Sequence, residues 1–223
     1  MTKRIDKIFI KRFLYFNIYV IKGVDGDILI DTGFLGIKKN LKKWLDNFNI
    51  KLIILTHSHI DHIWNVSYIK QLYNCEVAIG KVDLEYIDNS KINSEPVNKH
   101  YKYRTKLMNW GMKKFISQKF DVDMLLEDNQ ILNKYGLQLK IVSLDGHTNG
   151  SIGILYKDFL FAGDALVNRK SKVEIAYQNQ SNQNAKKSAL KILELEPQLI
   201  FIGHENAIKL EKLKKSIDYI LKK

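Results

Sequence analysis

Leu52-Ile53-Ile54-Leu55-Thr56-His57-Ser58-His59-Ile60-Asp61-His62 is the stretch from which the rest of this chain can be read. An apolar strand ends, and four potential metal ligands follow within six residues. His57 and His59 stand two apart, so in an extended turn their imidazoles can converge on one ion. Asp61 and His62 follow where a helix would begin, displaced toward a second position. Neutral imidazole and carboxylate suit zinc, and also iron or manganese. Three protein ligands with a position left for water mark a catalytic site.

Outward from this cluster, three further candidates share one context: each follows an apolar strand and sits beside a glycine. They are His147 in Leu144-Asp145-Gly146-His147-Thr148, Asp164 in Phe161-Ala162-Gly163-Asp164, and His204 in Phe201-Ile202-Gly203-His204. Glycine turns at strand ends are where backbone can approach a metal closely. His100 lies elsewhere, in a basic aromatic stretch, and reads as a solvated side chain.

Short β-type runs recur at Phe13–Ile21, Asp27–Ile30, Leu52–Leu55, Glu76–Ile79, Leu137–Leu144, Ile152–Tyr156, Phe159–Phe161 and Leu199–Ile202. Val24-Asp25-Gly26-Asp27 supplies a turn that makes the first two a hairpin. Helical spacing appears between strands: Leu41, Trp44, Leu45 and Phe48 share a face, as do Leu190, Ile192 and Leu193. Leu210, Leu213, Ile217 and Ile220 form one stripe of a final amphipathic helix. The polar run 178–184 reads as a loop into the helix from Ala185, and Pro197 closes that helix. Alternating strands and helices predict a layered architecture.

With 223 residues, 45% of them hydrophobic, the chain suits one domain with a sizeable core, and overall disorder is excluded. The net charge of +12 favours anionic partners without naming any. The single cysteine, Cys75, excludes an intramolecular disulfide and reads as a packed thiol. Ile8–Ile21 is too short and too polar to span a bilayer, and no export segment is visible, so a cytoplasmic protein without membrane partners is expected. Residues 97–120 carry seven Lys/Arg and no Asp/Glu, interleaved with Tyr101, Tyr103, Trp110, Phe115 and Phe120. The stretch 81–130 is longer than a connection between strands needs and is expected to form a helical lid. In that lid Tyr101, Tyr103, Arg104 and Trp110 are the candidate substrate contacts.

The sequence resembles the metallo-β-lactamase superfamily, and more narrowly its glyoxalase II-like (hydroxyacylglutathione hydrolase-like) hydrolases. The resemblance rests on Asp31-Thr32-Gly33, the His57–His62 motif, Gly146-His147-Thr148-x-Gly150-Ser151, Gly163-Asp164 and Gly203-His204, in that order. It implies an α+β fold, a four-layer αββα sandwich of two facing mixed sheets with helices outside. It further implies two divalent metal ions, zinc foremost. His57, His59 and His147 would hold the first, Asp61, His62 and His204 the second, and Asp164 would bridge them. Asp31 would steady the metal-binding loops. The Val167 position, where related lactonases carry a tyrosine, departs from that branch.

Two divalent ions sharing a hydroxide make a nucleophile at neutral pH, because coordination lowers the pKa of water from 15.7 to around 7. Asp61 would move a proton between that nucleophile and the leaving group. Hydrolysis of an ester-type bond in a small, anionic molecule is therefore expected, a thioester or a lactone. Two alternatives stay open: a phosphodiesterase or nuclease using the basic segment, and an iron-dependent persulfide dioxygenase. A non-enzymatic metal-binding protein is disfavoured, since structural zinc closes with four ligands and not seven. The sequence leaves the oligomeric state open.

Overall fold

The computed structural model describes residues 3–87, 95–96, 102–103, 106 and 120–222. Strands β1 (Lys3–Ile5), β2 (Ile8–Phe13), β3 (Phe16–Lys22) and β4 (Asp27–Ile30) form an antiparallel meander. Helix α1 (Lys38–Leu45) then leads to β5 (Ile50–Leu55), which pairs parallel with β4. Helices α2 (Ile60–Ile63) and α3 (Val66–Tyr73) lead to β6 (Glu76–Gly80), parallel to β5. After β7 (Glu95–Pro96), β8 (Met124–Leu126) adds to the far edge, parallel to β6. These strands give a mixed sheet in the order β1-β2-β3-β4-β5-β6-β8.

The second sheet begins with β9 (Ile131–Lys134), β10 (Leu137–Ser143), β11 (Ile152–Tyr156) and β12 (Phe159–Phe161), another antiparallel meander. The short strands β13 (Val167–Asn168), β14 (Val173–Glu174) and β15 (Gln178–Asn179) precede helix α4 (Asn182–Glu194). Then β16 (Leu199–Phe201) returns parallel to β12, and β17 (Ile208–Lys209) closes the order β17-β16-β12-β11-β10-β9. Helices α5 (Leu210–Lys214) and α6 (Ile217–Lys222) follow.

Three buried clusters show how the layers stack. One lies between the sheets: Ile21, Ile28, Ile30, Leu52, Ile54 and Ala78 of the first meet Leu139, Ile141, Ile152, Ile154, Phe161 and Phe201 of the second. On the outer face of the first sheet, Leu29, Ile53 and Val77 pack under Leu41 and Trp44 of α1 and Ile69 of α3. On the outer face of the second, Val142, Leu160 and Ile200 pack under Ala189 and Ile192 of α4 and Leu213 of α5. The result is the expected αββα sandwich. Central β5 is buried on both faces, hence its unbroken Leu52–Leu55 run. Strand β10 alternates buried Leu137, Leu139 and Ile141 with more exposed Gln138 and Lys140, as an outer antiparallel strand should.

The structure corrects four local expectations. Phe13–Ile21 is not one strand. The chain reverses at Leu14-Tyr15, Phe13 pairs with Phe16, and Leu14 takes a φ of 55° to make the turn. The final amphipathic stripe is split between α5 and α6 at Lys215-Ser216, where the Ser216 hydroxyl donates to the Lys212 carbonyl and accepts from the Val173 N–H. The polar run 178–184 begins as β15, which pairs with β7, and α4 starts at Asn182 because the Ser181 side chain caps it. Within the 81–130 stretch, Lys81–Tyr86 is a 3₁₀ turn and Met124–Leu126 belongs to the first sheet. Most of the intervening lid candidate lies outside the described residues. Cys75 is packed as expected, 5% exposed, and burial pushes its thiol up to about 11.

Candidate metal centre

Every candidate ligand follows a strand end on one edge of the sandwich. His57 and His59 follow β5, with Asp61 and His62 at the start of α2; His147 follows β10, Asp164 follows β12 and His204 follows β16. The two sheets are joined at this edge, since the Ile152 N–H donates to the Thr56 carbonyl at 2.9 Å and the Asn17 N–H to the Gly203 carbonyl at 2.8 Å. The glycines beside the ligands have a steric reason. A side chain on Gly203 would overlap Asp164 Oδ1 and the His62 ring. Gly163 takes a φ of 51° and faces the Thr56 hydroxyl.

Among the described residues, three groups of ligand atoms each lie within 4.8 Å of one another: His57, His59 and His147; His57, His62 and Asp164; and Asp61, His62 and His204. Asp164 reaches toward both ends of the cluster. Its Oδ1 lies 3.5 Å from His62 Nε2, and its Oδ2 lies 3.7 Å from His147 Nε2 and 3.1 Å from His204 Nε2. Asp61 Oδ2 is 3.3 Å from His204 Nε2.

The outer ring nitrogens explain why the inner ones converge. His62 Nδ1 lies 2.8 Å from Asp31 Oδ2, His147 Nδ1 2.8 Å from the Gln178 carbonyl and His204 Nδ1 2.9 Å from the Tyr15 carbonyl. The Thr56 hydroxyl donates to Asp31, so its oxygen is left to accept from His57 Nδ1 at 3.0 Å. Holding the proton on Nδ1 turns the Nε2 lone pair inward. Asp31 itself takes a φ of 59° and also accepts from the Thr56 N–H at 2.8 Å.

These residues fit a metal. Among the described residues, the Nε2 atoms of His57, His59, His62 and His147, with Asp164 Oδ1, are buried without a hydrogen-bond partner. Unpaired buried polar atoms are costly, and these five are of ligating type and belong to one cluster. Burial, reinforced by neighbouring imidazoles, holds His57 well below the ordinary imidazole range and lowers His59 to about 3. Burial also opposes charge on His62, yet Asp31, Asp164 and Asp61 override it and raise that ring to about 10. Burial is likewise outweighed at His204, which Asp164 and Asp61 lift to about 12. The carboxylates thus hold positive charge in the pocket, the electrostatic setting that a cation would share.

A cavity of about 240 Å³ opens on His59, Asp61, His147, Asp164 and His204. Its remaining wall is Val167, Arg169, Ala176, Tyr177, Gln178 and Glu205, with Arg169 Nη1 held by Glu205 Oε1 at 3.0 Å. Tyr103 is 84% exposed, and Tyr101, Arg104 and Trp110 lie outside the described residues.

Sequence reasoning missed Asp83. Its fully buried carboxylate accepts from the Ser58 N–H at 2.7 Å, the Thr148 hydroxyl at 2.8 Å and the Gly150 N–H at 2.9 Å. It therefore ties the loop of His57 and His59 to the loop of His147. Burial raises its pKa, partly offset by those hydrogen bonds. Lys81-Val82-Asp83 carries no pattern that would have revealed it.

Residues 13–204 match the family described as the Metallo-beta-lactamase superfamily. The chain belongs to that superfamily. As a member it is 31% identical over 153 residues to "Probable metallo-hydrolase MJ0888" of Methanocaldococcus jannaschii, covering 67% of this chain and 66% of that protein. It is 28% identical over 175 residues to the acyl-coenzyme A thioesterase MBLAC2 of Homo sapiens, covering 67% and 58%. The chain thus spans less than two thirds of the length of these two relatives. The crystal structure of BLEG-1 B3 metallo-beta-lactamase superposes with a TM-score of 0.74 over 99% of both chains at 21% identity, a likeness of fold. No described helix is long and apolar enough to cross a membrane.

Proposed function

We propose that this chain is a binuclear, zinc-dependent hydrolase of ester-type bonds, acting on an acyl thioester before a lactone, in the manner of the glyoxalase II-like branch. The observation that carries the reading is the set of buried ligand atoms without a described hydrogen-bond partner, gathered behind a cavity that His59, His147 and Asp164 of that set line. His57, His59 and His147 would hold one ion, and Asp61, His62 and His204 the other. Asp164, facing both groups, would bridge them. Bound there, the ions would supply a water-derived nucleophile at neutral pH and polarise the substrate carbonyl.

The chain's own residues do the rest. Asp31, Thr56, Gln178 and Tyr15 orient the imidazoles through Nδ1. Asp61, 29% exposed at the cavity, can pass a proton to the leaving group. Leu14 and Tyr15, 72% and 76% exposed, stand at the tip of the hairpin whose Tyr15 carbonyl holds His204. An exposed apolar hairpin tip tied to His204 through its backbone suits an acyl chain better than a phosphodiester backbone. The thioesterase among the relatives supports the same choice.

The test is metal analysis of the purified protein together with a screen of thioesters, lactones and bis-p-nitrophenyl phosphate. Two metals per chain and fastest turnover of a thioester are expected. Turnover of the phosphodiester alone, or of none of the three by protein loaded with zinc, manganese or iron, would overturn the reading.

A further inference from the structure

Gln178 differs from the candidate ligands in the cavity wall. It sits in β15, is 3% exposed, and lines the same cavity as His59, Asp61, His147, Asp164 and His204. Its carbonyl accepts from His147 Nδ1, which fixes its backbone against a candidate ligand. Its side-chain Nε2 is buried with no hydrogen-bond partner among the described residues. The unpartnered imidazole nitrogens beside it offer lone pairs and call for a cation. An amide nitrogen offers two N–H groups and no lone pair to share. It calls for an oxygen acceptor, and no atom of the described residues supplies one.

We infer that Gln178 Nε2 donates to the carbonyl oxygen of the acyl group undergoing hydrolysis, and does so more strongly as that oxygen becomes negative. The inference rests on the ester-hydrolase reading. Addition of the water-derived oxygen to the carbonyl carbon forms a C–O bond and moves the carbonyl π pair onto the oxygen that Gln178 faces. Its return breaks the bond to the leaving sulfur. The proton from the attacking water travels by Asp61 to that sulfur, so thioester and water become carboxylic acid and thiol. Val167 and Ala176, on the same wall, offer the substrate no side-chain donor. A donor aimed where charge develops contributes to the rate and little to ground-state binding.

The experiment uses the full, metal-loaded chain with Gln178→Ala and Gln178→Glu. Metal content, kcat and KM for a thioester, and calorimetric binding of inorganic phosphate as a tetrahedral oxyanion probe are measured. Metal content is expected to hold while Gln178→Ala lowers kcat by ~10²-fold with little change in KM. Gln178→Glu should fall further, because a carboxylate repels the developing charge. Phosphate should bind about tenfold more weakly to both variants, the loss of one hydrogen bond to an anion. Wild-type kcat in Gln178→Ala, or activity lost only in step with lost metal, would overturn the inference. If the wild type hydrolyses no ester-type bond, the ester reading fails by itself. Phosphate affinity unchanged in Gln178→Ala then overturns the role of Gln178, and weakened affinity upholds it as an oxyanion donor.

Discussion

At the scale of single residues, the candidate centre sets two aspartates in different surroundings. Asp164 presents one oxygen to His62 and the other to His147 and His204. Asp164→Ala is therefore expected to lower occupancy at both ion positions, read by elemental analysis. Two metals per chain and wild-type activity in that variant would show that it bridges nothing. Asp31 accepts from His62 Nδ1, the Thr56 N–H and the Thr56 hydroxyl. In Asp31→Asn an amide N–H would face the Nδ1 proton of His62 or the Thr56 N–H, both donors. Metal affinity should drop by ~10–100-fold, the usual loss when the partner of a ligating histidine is removed. A metal titration giving the wild-type Kd would reduce Asp31-Thr32-Gly33 to a turn.

At the scale of elements, the loops after β5 and β10 are held in register by the carboxylate of Asp83 in the 3₁₀ turn. Asp83→Ala leaves the Ser58 and Gly150 N–H groups buried without acceptors, at about 1–3 kcal/mol each. A loss of about 3 kcal/mol in stability is expected, lowering Tm by ~6–12 °C for a chain of this length. Affinity for the ion held by His57, His59 and His147 should fall with it. A melting temperature within about 2 °C of wild type, by calorimetry, would show that the loops hold their positions without this carboxylate.

At the scale of the whole molecule, the candidate ligands come from four strand ends in two sheets, so a bound ion cross-links both halves of the sandwich. Ligand that binds only the folded state at ~100 times its Kd stabilises by about 2.7 kcal/mol per site. Exhaustive chelation should lower Tm by several degrees, and added zinc should restore it. Identical melting curves for chelated and zinc-loaded protein would mean that the folded state holds no ion at this edge.

The candidate ligands that the fold gathers were legible in the sequence because metal chemistry demands particular residue types at particular strand ends. His57, His59, Asp61 and His62 are clustered, and His147, Asp164 and His204 each follow an apolar run beside a glycine. The layered fold was legible for a similar reason, since strand runs such as Leu52–Leu55 and helix stripes such as Leu41-Trp44-Leu45 are set by local periodicity. The reversal at Leu14-Tyr15 was not, because those residues read as more strand and only cross-strand pairing shows the turn. Asp83 and Gln178 were invisible for a stronger reason: an isolated acid and an amide in a polar run carry no local signature. Which donors and acceptors they face is settled by long-range packing, 65 residues apart for Asp83 with Thr148 and 31 for Gln178 with His147. The sequence by itself determined what could bind a metal and which layers would form. Only the tertiary structure decided which side chains surround that centre, because hydrogen-bond complementarity across loops is a property of distance in space and not along the chain.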